Sequence, residues 1–224
     1  MIEAVVFDLD GVIVDSEQVW VEVREAWVRS VGVEYPPEAT RAMMGMSSPE
    51  WSRYLTDVLG VPGTPAEANA AVVAGMVERY GTAPPLIEGA VDAVRRVARR
   101  WPVGIASSSN PELIELVVAA AGLADVVRVA VSSETVARGK PAPDVYLEAV
   151  SRLGAEPSLC AAVEDSEPGI RSAHAAGMLV VAIPNLHFPP ADEALALADM
   201  VLPSIALLEE ETIAGTAAAW LRDG

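Results

Sequence analysis

Short apolar runs that stop abruptly at polar side chains punctuate most of the chain. Val5-Val6-Phe7 runs into Asp8-Leu9-Asp10-Gly11, and comparable runs cover residues 103–106, 126–131, 159–163, 179–183 and 200–202. Their length and β-branched content predict buried strands. Between them, residues 87–100, 112–121, 144–153, 168–176 and 205–221 read as helices, and Gly122, Gly154 and Gly177 close three of these. Arg95, Arg96, Arg99 and Arg100 mark the wet side of the first. Such alternation predicts a parallel sheet covered on both faces.

Residues 16–83 break that rhythm. They read as helices over 19–31, 39–44, 50–59 and 66–80, separated by proline and glycine breaks and with no strand signal. Residues 81–85 read as a linker. The predicted fold is a doubly wound, Rossmann-like α/β core, residues 1–15 and 84–224, interrupted after its first strand by an all-helical insert, residues 16–83.

Composition narrows the partners. The net charge of −17 argues against nucleic acid and anionic membranes, but not against a small anion held at one local cationic site. A single cysteine, Cys160, excludes an intramolecular disulfide framework and suits a reducing compartment; its apolar neighbours mark it as a packing residue. No apolar stretch is long enough for a membrane span, and no signal peptide precedes the first strand, so a cytoplasmic location is expected. Of the 15 basic residues, Lys140 is the only lysine.

The polar residues collect where strands end. The first strand gives Asp8 and Asp10, the second Ser107, Ser108 and Asn110, and the fourth Glu164 and Asp165. The loop after the third holds Arg138-Gly139-Lys140-Pro141. In a parallel sheet these ends share one rim, where α/β folds bind ligands. Four acids, hydroxyls and one lysine are the inventory for Mg²⁺ held by carboxylates beside a phosphate held by Ser and Lys. Taken singly, each has a bland reading: Ser107 to Ser109 as a helix N-cap, Glu164 and Asp165 as acids favouring a helix start, Lys140 as a solvated lysine. A calcium loop fails, because Val12 and Ile13 stand where the third acid and the glycine belong. His174 and His187 lie apart from any metal-ligand spacing, which speaks against zinc.

Four segments, Phe7-Asp8-Leu9-Asp10-Gly11-Val12-Ile13-Val14-Asp15-Ser16-Glu17, Ile105-Ala106-Ser107-Ser108-Ser109, Gly139-Lys140-Pro141-Ala142-Pro143-Asp144 and Val163-Glu164-Asp165-Ser166, resemble in order and spacing the motifs of the haloacid dehalogenase-like (HAD) phosphohydrolases. The insert stands where that family carries a cap domain. The subgroup resembled contains β-phosphoglucomutase and small sugar-phosphate phosphatases. The resemblance implies that Asp8 is the nucleophile, forming an aspartyl-phosphate, and that Asp10 is the acid and base. It implies that Asp8, Asp10 through its carbonyl, Asp165 and Glu164 hold Mg²⁺. Phosphoryl binding then falls to Ser107, Ser108, Asn110, Lys140 and the backbone at Leu9 and Gly11. Asp10 argues against the dehalogenase branch, and an insert without lysine argues against the phosphonatase branch.

The insert itself departs from the mutase. Trp20 stands at the position of the mutase histidine, and Ser48 in Gly45-Met46-Ser47-Ser48 at that of its arginine, so these five residues are the candidates for specificity. Arg24, Arg29, Arg41, Arg53 and Arg79 are available as cations, but the sequence does not place them against the core. The expectation is a Mg²⁺-dependent phosphatase of a small phosphorylated metabolite. A phosphosugar mutase is the first alternative, and a phospho-aspartate signalling receiver, which needs no insert, the second.

Overall fold

The computed structural model describes residues 2–43, 46–185 and 188–223. Six parallel strands, β1 (Ala4–Phe7), β2 (Val103–Ser107), β3 (Val127–Ser132), β4 (Cys160–Glu164), β5 (Leu179–Ala182) and β6 (Met200–Val201), form one sheet in the order β3-β2-β1-β4-β5-β6. The order reverses beside β1, and a crevice opens outside the strand ends at such a switch point. Strand alternation splits the core into two clusters. Val5, Phe7, Ile105, Val163 and Val181 pack towards α5 (Ala90–Ala98), α6 (Pro111–Ala120) and α10 (Glu210–Asp223). Ala4, Val6, Ala106, Ala162 and Val180 pack towards α7 (Asp144–Leu153) and α8 (Glu167–Ala175).

Between β1 and α5 the elements among the described residues are helices: α1 (Glu17–Ser30), α2 (Pro37–Met43), α3 (Ser48–Arg53), which runs on as a π-helical turn over Tyr54–Val58, and α4 (Pro65–Thr82). The chain leaves and re-enters the sheet at adjacent points. Val14 and Leu86 form an antiparallel bridge, the Asp15 N–H donates to the Pro85 carbonyl at 2.8 Å, and the Ile87 N–H to that of Ile13 at 3.0 Å.

Several boundaries differ from the sequence reading. The expected linker at residues 81–85 starts later, because α4 continues through Gly81 and Thr82. Helix α5 starts at Ala90, after Gly89 with a φ of 79°, because residues 86 and 87 are tied to residues 14 and 13. The expected final helix is broken into a 3₁₀ turn (Ile205–Leu207) and α10. Arg96 holds the carbonyls of Ala206 and Leu208, at 3.2 and 2.8 Å from its Nη2, which would otherwise accept from helical N–H groups. A four-residue helix, α9 (Asp192–Leu195), had no sequence signal. Among the described residues no helix is long and apolar enough to cross a membrane.

Candidate active site

Register alone assembles the centre. Phe7 pairs with Val163 on one side and Ile105 on the other, so one residue further Asp8, Glu164 and Ala106 stand abreast on three strands. Lys140 reaches all three: its Nζ donates to Glu164 Oε1 at 2.6 Å and to the Ala106 carbonyl at 3.0 Å, and lies 2.9 Å from Asp8 Oδ1. The last contact is ionic but poorly aligned, leaving Asp8 Oδ1 without a directed hydrogen bond. Glu164 is fully enclosed and its acceptors are in use. Oε1 also accepts from Tyr146 Oη at 2.6 Å, and Oε2 from Ser166 Oγ and the Asp165 N–H, both at 3.2 Å. Glu164 thus fixes Lys140, while Asp8 and Asp165 carry the oxygens with spare capacity.

Burial, with Glu164 next, pushes the Asp8 carboxyl up to about 8 against the opposing pull of Lys140. The same two causes hold Asp165 well above the carboxylate range. Burial disfavours the Lys140 cation, but Asp8 and Glu164 outweigh it and raise its pKa. Three buried acids, Asp8, Glu164 and Asp165, bring ligand oxygens within 4.8 Å of one another around a single ammonium. An all-carboxylate donor set, with Asp8 Oδ1 held only by its ionic contact to Lys140, fits a hard divalent cation.

Asp10 lies one step beyond. Its Oδ2 accepts from Ser109 Oγ at 2.7 Å and Ser107 Oγ at 3.2 Å, and its Oδ1 from the Trp20 indole N–H at 3.4 Å. Gly11 turns the chain with a φ of 78°, and a Cβ there would stand 1.8 Å from Asp165 Oδ2, so only glycine admits the acid.

A cavity of about 250 Å³ opens over this centre, lined from the sheet by Asp8, Asp10, Ser108, Ser109, Lys140 and Asp165. The helical block lines it with Trp20, Arg24, Met46, Ser48 and Trp51. The structure therefore brings Asp8, Asp10, Ser108, Lys140, Asp165, Trp20, Met46 and Ser48 together on one cavity. Other candidates sit differently. Ser107 is enclosed, and its hydroxyl is turned to Asp10. Leu9 is buried, so only its backbone can reach a ligand. Ser47 is occupied in capping α3, donating to Glu50 Oε2 at 2.6 Å. Asn110 joins core to block, accepting from Ser48 Oγ at 2.9 Å and donating to Glu134 Oε1 at 2.8 Å. Gly45 and His187 lie outside the described residues. Ser109 and Arg24, which the sequence offers only as an N-cap residue and as one of several unplaced cations, also line the cavity. Ser109 gave no signal beyond its neighbours, but Trp20, Arg24 and Val28 recur at a spacing of four, which puts an arginine on the buried stripe of α1.

With sheet and site in place, kinship is decisive. The haloacid dehalogenase-like hydrolase family matches residues 2–177, and the chain belongs to that family. Within it the chain is a phosphohydrolase. It is 30% identical to the hexitol phosphatase B of Escherichia coli K12, over 95% of this chain and 96% of that one. It is also 30% identical to a probable pseudouridine-5'-phosphatase of Drosophila melanogaster, over 92% and 91%. A β-phosphoglucomutase from Clostridium difficile superposes with a TM-score of 0.85 over 99% of both chains at 22% identity, which speaks for the fold alone.

Proposed function

We propose that the protein is a Mg²⁺-dependent phosphatase that hydrolyses a small phosphorylated metabolite through an aspartyl-phosphate at Asp8. The observation that carries this is the convergence of Asp8, Asp10, Lys140 and Asp165 on one cavity closed by the helical block. An Asp8 carboxylate oxygen attacks phosphorus, and the ester oxygen leaves with a proton from Asp10. Ser107 and Ser109 hold Asp10 Oδ2, so Oδ1, reached only by the long Trp20 contact, is the oxygen free to carry that proton. Water then attacks the phosphorus of the acyl phosphate, giving its proton to Asp10 and releasing phosphate and the Asp8 carboxylate. Lys140, Ser108 and the N–H groups after Asp8 bind the phosphoryl oxygens. Asp8 and Asp165, with the Asp10 carbonyl, would hold Mg²⁺, which supplies positive charge to the phosphoryl group. Glu164 keeps Lys140 in place.

The test is phosphate release from a panel of phosphomonoesters with and without Mg²⁺, beside an Asp8→Asn variant. Full activity in that variant would sink the nucleophile. The hexitol and nucleoside names of the relatives support a small polyhydroxylated substrate. The mutase reading is disfavoured because its histidine position holds Trp20. It is tested by interconversion of a hexose 1-phosphate and 6-phosphate. A receiver has no need of the substrate-sized cavity. A cytoplasmic site of action rests on the single buried cysteine.

A further inference from the structure

One cation in the cavity forms no ion pair among the described residues, although Asp10 and Glu17 act on it across space. Arg24, on α1, is only 9% exposed, and its Nε is buried without a hydrogen-bond partner. No described carboxylate forms an ion pair with it, whereas Lys140, the other cation on the described lining, is shared by Asp8 and Glu164. Its guanidinium carbon stands 4.7 Å from the centroid of Trp20 and 4.9 Å from that of Trp51, two indoles tilted by 56°. Such ring contacts recover less than burying a cation costs. Burial lowers the Arg24 pKa only to about 10, so it is charged at neutral pH. Packing alone does not require a guanidinium here, since an aliphatic side chain would fill the space between two indoles without desolvating a charge.

Its position indicates what it awaits. Trp20 touches Asp10, and Arg24 follows it one helical turn further along α1 from the point where that helix leaves the sheet. It thus lines the cavity from the helical side, one turn beyond the residue that meets Asp10, where a group of the substrate other than the scissile phosphate would lie. A planar fork held between aromatic rings suits a carboxylate or phosphate, which it can bind through two N–H groups. We propose that Arg24, clamped by Trp20 and Trp51, anchors a second anionic group, carboxylate or phosphate, at the far end of the phosphorylated substrate. The inference rests on the phosphatase reading and narrows its substrate class to phosphomonoesters with a second acidic group.

Three six-carbon probes test it: sorbitol 6-phosphate with a neutral far end, 6-phosphogluconate with a carboxylate, and a hexose 1,6-bisphosphate. The expected result is a kcat/KM at least about tenfold higher for one acidic-ended probe than for the neutral one, through KM, consistent with a charge-assisted contact. Which acidic probe leads identifies the group. Arg24→Met should remove that preference, and Arg24→Lys, which keeps a cation between the rings, should retain part of it. Equal treatment of all three by the wild type overturns the proposal whatever the variants do. So does a loss in Arg24→Met that falls equally on neutral and acidic probes. Calorimetric binding to the Asp8→Asn protein, with and without Arg24→Met, separates the two claims. Arg24-dependent binding without phosphate release by the wild type sinks the phosphatase alone, whereas release without preference sinks the anion site alone.

Discussion

Lys140 Nζ lies 2.6 Å from Glu164 Oε1, with neither side chain more than 3% exposed. The pair compensates a charge cluster that neither residue tolerates alone. Lys140→Met should therefore destabilise the fold by about 3–5 kcal/mol, the usual cost of leaving buried charge unpaired. Adding Glu164→Gln should return part of that loss, so a double-mutant cycle in urea should be non-additive. Additive effects would mean that Glu164 does not depend on Lys140.

Because its raised pKa of about 8 lets folded Asp8 keep a proton that the unfolded chain gives up near 3.8, stability of the metal-free protein should fall as pH rises between these values. Mg²⁺ needs the carboxylate, so it should bind more tightly as pH rises towards 8 and release protons on binding. Thermal melts from pH 5 to 9 with and without Mg²⁺ check both signs.

Asp8→Asn removes charge from the same cluster. Turnover should drop at least about a thousandfold, as for other lost nucleophiles. The metal-free variant should nevertheless melt higher than the wild type at pH 8, with a smaller Mg²⁺-induced shift. A lower melting point would place the strain elsewhere than at Asp8.

Gly11→Ala combines a left-handed backbone costing about 1–2 kcal/mol with a methyl group overlapping Asp165. Beyond the stability loss, Mg²⁺ affinity should fall at least about tenfold, because Asp165 must move. Unchanged affinity by calorimetry would show that Asp165 is not a ligand.

Ser48→Ala tests the junction of block and core, since it strips Asn110 Oδ1 of its buried donor. A loss of about 1–2 kcal/mol is expected. Denaturant unfolding measures it, and a KM increase larger than the fall in kcat would indicate a block that seats less firmly on the substrate.

Asp8, Asp10, Lys140 and Asp165 were legible because strand ends in a parallel sheet share a rim, and each stands within three residues of the end of an apolar run or in a glycine–proline loop. Hydroxyl and amide directions were not. Ser107 and Ser108 are adjacent, yet one is turned to Asp10 and the other lines the cavity, a difference set by the turn after β2. Asn110 is drawn away by Ser48, 62 residues distant in sequence. The Arg24 stripe was visible as a period, but its meaning required Trp51 from another helix. The broken final helix depended on Arg96, more than a hundred residues earlier.

The bridge between Val14 and Leu86 has a mechanical consequence. Both covalent routes into the helical block pass through one short ladder, so the block is hinged as a door is, along one edge. Any opening of the block would then be a swing rather than a slide, and α1, starting at Glu17, lies close to that edge. In such a swing Trp20 and Arg24 would travel together and by small arcs, while Ser48, across the opening, would part from Asn110.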